Sequence, residues 1–187
     1  MENEGREEKS ASRCTLRPAA LDREAGAVAG LMAEYLTWAH AEADRILGIH
    51  EPPSDLDAIP ESLRAFQPPA GTLIVADCGE RLAGVAALRA TAPGVLEIKR
   101  MYVTPQWRGT GLGSALLDRL LDEARSTPGV HTVRLDTCSF MTDAQRLYES
   151  RRFVERSPYE GTEIPPHLQH HWRFFERQLA DPAVQSH

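Results

Sequence analysis

Residues 99–117 read KRMYVTPQWRGTGLGSALL, and this stretch constrains the fold more than any other. A strand-like run ends at Val103. Pro105 and Arg108 follow, glycines stand at 109, 111 and 113, and an amphipathic helix begins. Glycines on alternate positions strip three side chains from one turn. A helix start exposes unpaired backbone N–H groups and a partial positive charge. Glycines ahead of it let an anion come close to the backbone. The turn therefore points to a phosphate-bearing ligand, set against a tight strand-to-helix turn that binds nothing. Strand, turn, helix and the next strand also form a crossover, so the chain needs a sheet with at least one parallel pair.

The remaining elements can be placed around that crossover. Cys14–Arg17 reads as a first strand. Leu21, Ala25, Val28, Leu31, Tyr35 and Ala39 recur at helical spacing, so residues 20–47 hold one long helix or two. A short helix is expected near 62–66. Residues 72–76 and 82–90 read as strands joined by a hairpin at Asp77–Glu80, and 95–103 as the next strand. Leu112, Leu116 and Leu120, flanked by Leu117, Leu121 and Ala124, mark a helix over 111–124. Strands at 131–137, 153–155 and 172–179 and a helix at 143–150 complete the order. The expected class is α/β with a mixed sheet, antiparallel early and with one parallel crossover.

Composition excludes several classes. At 187 residues the chain suits one domain, expected over 14–180. The first thirteen residues, MENEGREEKSASR, read as a disordered tail without the apolar stretch of a secretory signal, and 181–187 as a C-terminal tail. A net charge of −6 argues against nucleic acid as a partner. No run of about 18 apolar residues exists to cross a membrane. The cysteines, Cys14, Cys78 and Cys138, are far apart and form no CxxC, so neither a disulfide nor a zinc site is expected and a reducing cytoplasmic location fits. Cys138 has no obvious histidine partner and reads as a buried structural thiol. His167, His170 and His171 lack a carboxylate partner for a metal and read as solvated residues near the rim of a pocket.

Three phosphate-binding patterns compete for the glycine turn. A nucleotide P-loop needs Lys-Ser/Thr after its last glycine, but Gly113 precedes Ser114-Ala115. A dinucleotide fingerprint needs GxGxxG, and Ser114 stands where its third glycine belongs, although Asp136 mimics the ribose-binding acid. The third pattern, Arg-Gly-x-Gly-x-Gly, is the turn for the pyrophosphate of coenzyme A. The run Glu97-Ile98-Lys99-Arg100-Met101-Tyr102-Val103-x-Pro105-x-x-Arg108-Gly109-x-Gly111-x-Gly113, with Ala144-x-x-Leu147-Tyr148-x-x-x-x-Phe153 downstream, resembles the Gcn5-related N-acetyltransferase (GNAT) superfamily over about residues 15–179.

The resemblance implies a GNAT-like acyl-CoA N-acyltransferase fold, a central mixed sheet flanked by helices on both faces. It also implies acetyl-CoA as co-substrate and no metal. Met101, Tyr102, Val103, Arg108, Gly109, Thr110, Gly111, Leu112, Gly113 and Ser114 would hold the cofactor, with the fourth and fifth strands splayed beside them. Two positions depart from the pattern: Met141 replaces an asparagine that contacts the cofactor in many members, and Arg152 replaces the glycine before Phe153.

Acetyl transfer to an amine needs a base, a polarised carbonyl and a stabilised thiolate. Glu97, in the apolar run Val95–Ile98, is the expected base, with its pKa raised by partial burial and Asp136 in reserve. The competing reading is a carboxylate on a solvated strand face. Backbone N–H groups at 101–103 are the expected carbonyl polarisers. Tyr148 is the expected acid toward the thiolate, against a plain core tyrosine. Tyr35 and Trp38 lie on the helix that lines the acceptor side in the family, though helix core is the commoner fate of such residues. Lys99 falls on the same strand face as Glu97. The two suggest an amino acid or similar zwitterion, its amine at Glu97 and its carboxylate at Lys99 or Arg100, unless Lys99 merely snorkels into water. The expected function is acetylation of a small-molecule primary amine. The alternatives are a peptide or protein acetyltransferase and a non-catalytic acyl-CoA-binding module. A homodimer is compatible with this reading, and the sequence does not select an oligomeric state.

Overall fold

A computed structural model of the chain describes residues 13–50, 52, 55–79 and 81–179. Except for Arg13, the two expected tails lie outside the described residues. Seven strands form one sheet: β1 (Thr15–Pro18), β2 (Gly71–Asp77), β3 (Leu82–Ala92), β4 (Val95–Val103), β5 (Thr132–Cys138), β6 (Val154–Arg156) and β7 (Trp172–Gln178). The helices are α1 (Leu21–Leu47), α2 (Ile59–Arg64), α3 (Leu112–Ser126) and α4 (Thr142–Ser150). Leu21–Leu47 is a single element with a kink at Glu24, where φ is −126°. The sheet order is β1-β2-β3-β4-β5-β7-β6. β4 and β5 form the parallel pair expected of the crossover, and the last strand slots between β5 and β6.

Each sheet face has its own apolar layer. The leucines of α3 at 112, 116, 117, 120 and 121 are buried and pack with Ile98, Leu135, Tyr148 and Phe175 on one side. Val28, Leu31 and Met32 of α1, with Ile59, Leu63 and Phe66 at α2, cover Leu73, Val85 and Tyr102 on the other. Burial of side chains this size contributes about 1.5–3 kcal/mol each, so both helical layers are fixed against the strands.

The cysteine expectation is overturned. β1 runs antiparallel to β2 with Thr15 opposite Asp77. That register brings Cys14 and Cys78, 64 residues apart in sequence, to a Cα separation of 4.1 Å, and they form a disulfide. Sequence spacing says nothing of cross-strand register, and the argument from free thiols to a reducing compartment loses its support. Cys138 is free and buried, as expected, and burial raises its thiol pKa.

Two features of β4 position the site. Its ladder to β5 covers only Val95–Thr132, Leu96–Val133 and Glu97–Arg134, so residues 98–103 have no β5 partner and the two strands part. On its other edge, Val85 pairs with Tyr102 and Ala87 with Lys99, which leaves a bulge at Arg100, held at φ +57°.

Candidate active site

Where β4 and β5 separate, a cavity of about 430 Å³ opens. Tyr35, Leu36, Ala39 and His40 of α1 wall one side, and Asp136, Thr137 and Cys138 of β5 another. Met141, Ala144 and Tyr148 come from the start of α4 and its body, and Glu163, Ile164 and Leu168 from the loop before β7. Four consecutive residues of β4, Ile98 to Met101, all line it. A regular strand would offer alternate ones; loss of the β5 partner and the bulge expose both faces.

Behind the cavity lies a buried charged cluster. Glu97 is fully buried. Its Oε2 accepts from Arg89 at 2.9 Å (Nε) and 2.7 Å (Nη2), and its Oε1 accepts from the Tyr159 hydroxyl at 2.7 Å with Lys99 Nζ at 3.3 Å. The alternative of a solvated carboxylate is thus wrong, and so is the expected partial burial. Glu97 does not line the cavity, and both of its oxygens are engaged. Lys99 is also mostly buried, so it does not snorkel into water. Its ammonium donates to Asp136 Oδ2 at 2.7 Å and lies 3.6 Å from Glu163. Its carboxylate neighbours outweigh the desolvation that opposes its charge, and its pKa is raised. Asp136 does line the cavity. Lys99 and, at 3.4 Å, the Tyr159 hydroxyl approach its Oδ2, while Oδ1 has no hydrogen-bond partner among the described residues.

Tyr148 is buried, lines the cavity, and among the described residues its hydroxyl has only the weakly accepting Met101 sulfur as a partner, at 3.9 Å. Burial drives its pKa well above that of an ordinary phenol. The hydroxyl can stabilise a thiolate by donating a hydrogen bond but holds its proton tightly. Tyr35 lines the cavity and stacks at 5.4 Å on Tyr102, whose hydroxyl donates to Glu34 on the α1 side. Trp38 stands outside the cavity lining, edge-on to Phe140 at 5.9 Å and under the Arg108 guanidinium at 5.1 Å. Met141 lines the cavity and takes the Thr137 hydroxyl at 3.6 Å. His167, His170 and His171 do not line it.

The glycine turn has the form expected for an anion. Gly109 and Gly111 are left-handed, at φ +75° and +88°. Gly111 is the N-cap of α3 and no side chain caps that helix, so its first N–H groups have no side-chain acceptor. A Cβ on Gly109 would meet no atom within 4 Å, and one on Gly113 would make ordinary contacts with Leu147 at 3.7 Å and Val103 at 3.9 Å. Internal packing therefore does not demand a glycine at 113. Thr110 hydroxyl bonds Trp107 carbonyl at 2.7 Å and shapes the turn, and Leu112 is a core residue. Arg108 is exposed at the turn's start, its Nε donating to the Val103 carbonyl at 3.1 Å. Turn, parted strands and Tyr148 fit a pyrophosphate followed by an extended thioester arm.

Sequence reasoning missed Arg89, Tyr159, Glu163 and His40. Arg89 was findable, because a hairpin joining β3 to β4 sets it opposite Glu97. Tyr159 and Glu163 lie in an irregular loop whose sequence has no period to betray them.

A strand-splayed mixed sheet with an anion-binding turn at its crossover helix defines an acyl-CoA-dependent transferase. The model of the Acetyltransferase (GNAT) family matches residues 32–153, and the chain belongs to that family. It is 34% identical over 111 residues to an uncharacterized N-acetyltransferase of Schizosaccharomyces pombe, covering 58% of this chain and 68% of that protein. It is 32% identical over 119 residues to the IAA acetyltransferase of Azospirillum brasilense, covering 63% and 76%. Among solved structures, yncA of Salmonella typhimurium with its cofactor acetyl-CoA superposes with a TM-score of 0.66 at 23% identity, over 92% of this chain and 98% of that one. A GNAT-family acetyltransferase of Staphylococcus aureus gives 0.68 at 16%, over 89% and 99%. The protein is an N-acetyltransferase with acetyl-CoA as co-substrate.

Proposed function

We propose that the acetyl acceptor is a primary amine on a small molecule and that transfer is direct. The observation that carries this reading is the acceptor-side cavity. At about 430 Å³ it has the size of a small-molecule site, and α1, α4 and the loop carrying Glu163 wall it in. A peptide would need a groove open at both ends. Acetyl-CoA supplies a thioester carbonyl for attack and a thiolate as leaving group.

The chain's own residues divide the remaining work. Asp136 Oδ1 accepts the proton that the ammonium must lose, while Lys99 and Tyr159 hold the same carboxylate through Oδ2. Glu97 anchors Lys99 and Tyr159 and acts through them. Backbone N–H groups of residues 98–103 that point away from β3 lack a β5 acceptor and supply donors to the carbonyl. The Tyr148 hydroxyl donates a hydrogen bond to the departing thiolate, which leaves as the thiol by taking up the second proton that the nitrogen sheds on forming the amide. Cys138 lines the cavity too, but burial raises its thiol pKa, which works against the thiolate that an acyl-enzyme route would need and favours direct transfer.

Release of free CoA thiol from acetyl-CoA, followed over a panel of small primary amines and N-terminal peptides, tests the reading. Amine-dependent release with small molecules is the expected result. Release with peptides alone would overturn it in favour of a protein acetyltransferase, and release with neither would overturn the small-molecule reading as well.

A further inference from the structure

The charges around the acceptor cavity do not balance without Arg100. Arg89 and Lys99 face three carboxylates, Glu97, Asp136 and Glu163, in one connected cluster. That leaves one negative charge in excess beside the place where an ammonium must enter. Lys99 has no donor to spare for a substrate anion: its three carboxylate neighbours lie within 3.6 Å.

Arg100 is different. The bulge at φ +57° places it on the wall of the same cavity as Lys99, its chain neighbour, at the border with a small adjoining pocket that it also lines. It is half-buried, and its guanidinium lies 5.9 Å from the Phe66 ring near the end of α2. No described residue gives it a hydrogen bond or an ion pair. Asp55 lines a small adjoining pocket with it, and Glu163 feels its charge, yet neither carboxylate pairs with it. A partly desolvated guanidinium presents planar, paired N–H donors suited to a carboxylate. No described residue uses these donors, so they are available to a ligand in the cavity.

Resting on the small-molecule reading above, we propose that Arg100 is the anion anchor of the acceptor site and that the acceptor is an amine that also bears a carboxylate. The ammonium is received at Asp136, in the negative half of the cavity, and the carboxylate at Arg100, toward α2. The pocket is then neutral as a whole but polar along its length, which suits a zwitterion and disfavours a polyamine. Arg100 thus sets acceptor specificity and has no part in the bond-making step.

Steady-state kinetics with amino acids and their decarboxylated counterparts test this, on wild type, Arg100→Met and Arg100→Lys. Wild type is expected to prefer the carboxylated member of each pair. Arg100→Met should raise KM for that member roughly 10- to 100-fold, the worth of a charge-assisted contact, and leave the decarboxylated amine within about threefold. Arg100→Lys should restore part of the loss, because it keeps the charge without the fork. Unchanged acetyl-CoA binding by calorimetry shows that each variant is folded. Small amines accepted without regard to the carboxylate, or an equal loss for both members in Arg100→Met, would overturn the anchor and leave the small-molecule reading standing. Failure of every small amine would overturn both.

Discussion

Two carboxylates only 39 positions apart in sequence take different parts because of what touches them. Glu97 has every oxygen occupied by Arg89, Tyr159 and Lys99. Asp136 lines the cavity and has one oxygen held and the other without a partner among the described residues. Asp136→Asn is therefore expected to lower kcat by ~10²–10⁴ with acetyl-CoA binding intact. Glu97→Gln should chiefly lower the melting temperature, since it uncouples a buried pair, and reduce kcat by less than about tenfold. Parallel kinetics and thermal scans check this; the opposite ranking of kcat would return the base role to Glu97. At the cofactor end, Gly111→Val places a β-branched side chain at φ +88° and should weaken acetyl-CoA binding severely. Arg108→Ala should cost about 1.5–3 kcal/mol of the same binding. Calorimetry with wild-type affinity in both would remove the turn from the site.

Element existence was legible wherever a periodic pattern ran long. The leucine stripe of α3 and the apolar run of β4 each gave type and place within a residue or two. What the sequence hid was pairing. The Cys14–Cys78 bridge depends on the β1–β2 register, and the Tyr159–Glu97 contact depends on where an irregular loop folds back. The Arg152 substitution shows the same limit from the other side: the residue keeps the left-handed φ of +63° that a glycine adopts freely, so the turn survives the change. Because the bridge closes a loop spanning 64 residues and ties down an edge strand of four, its removal should be felt locally and globally. Cys14→Ser with Cys78→Ser should destabilise the protein by about 2–4 kcal/mol, read from denaturant midpoints under oxidising conditions. A midpoint unchanged from wild type would mean the strand is held by its ladder alone.

At the scale of the whole molecule, two phenols held partly or wholly out of water set an alkaline limit. Burial pushes Tyr35 up to about 12, with the Asp136 charge adding to it. Burial, then donation to Glu34, does the same for Tyr102, also to about 12. Both folded values exceed the ~10 of an unfolded tyrosine, so their stabilisation is complete below pH ~10 and is lost as pH rises through about 12. Stability measured by denaturant titration should be flat across neutral pH with respect to these groups and fall between those limits. A decline that begins below pH 9 would assign alkaline unfolding to other residues.

The three-rung seam between β4 and β5 carries a further consequence for how the enzyme fills. It makes the sheet two leaves, one ending in β4 and the other beginning with β5, with a slot one strand wide between them. Amide protons of residues 98–103 that face the slot should exchange with solvent like those of an outer edge, deep inside the molecule. A co-substrate arm lying in the slot would close it, slowing exchange there by about tenfold or more and leaving β2–β3 amides untouched. If that arm forms part of the acceptor's floor, acetyl-CoA should add first, and product-inhibition patterns are expected to show that order.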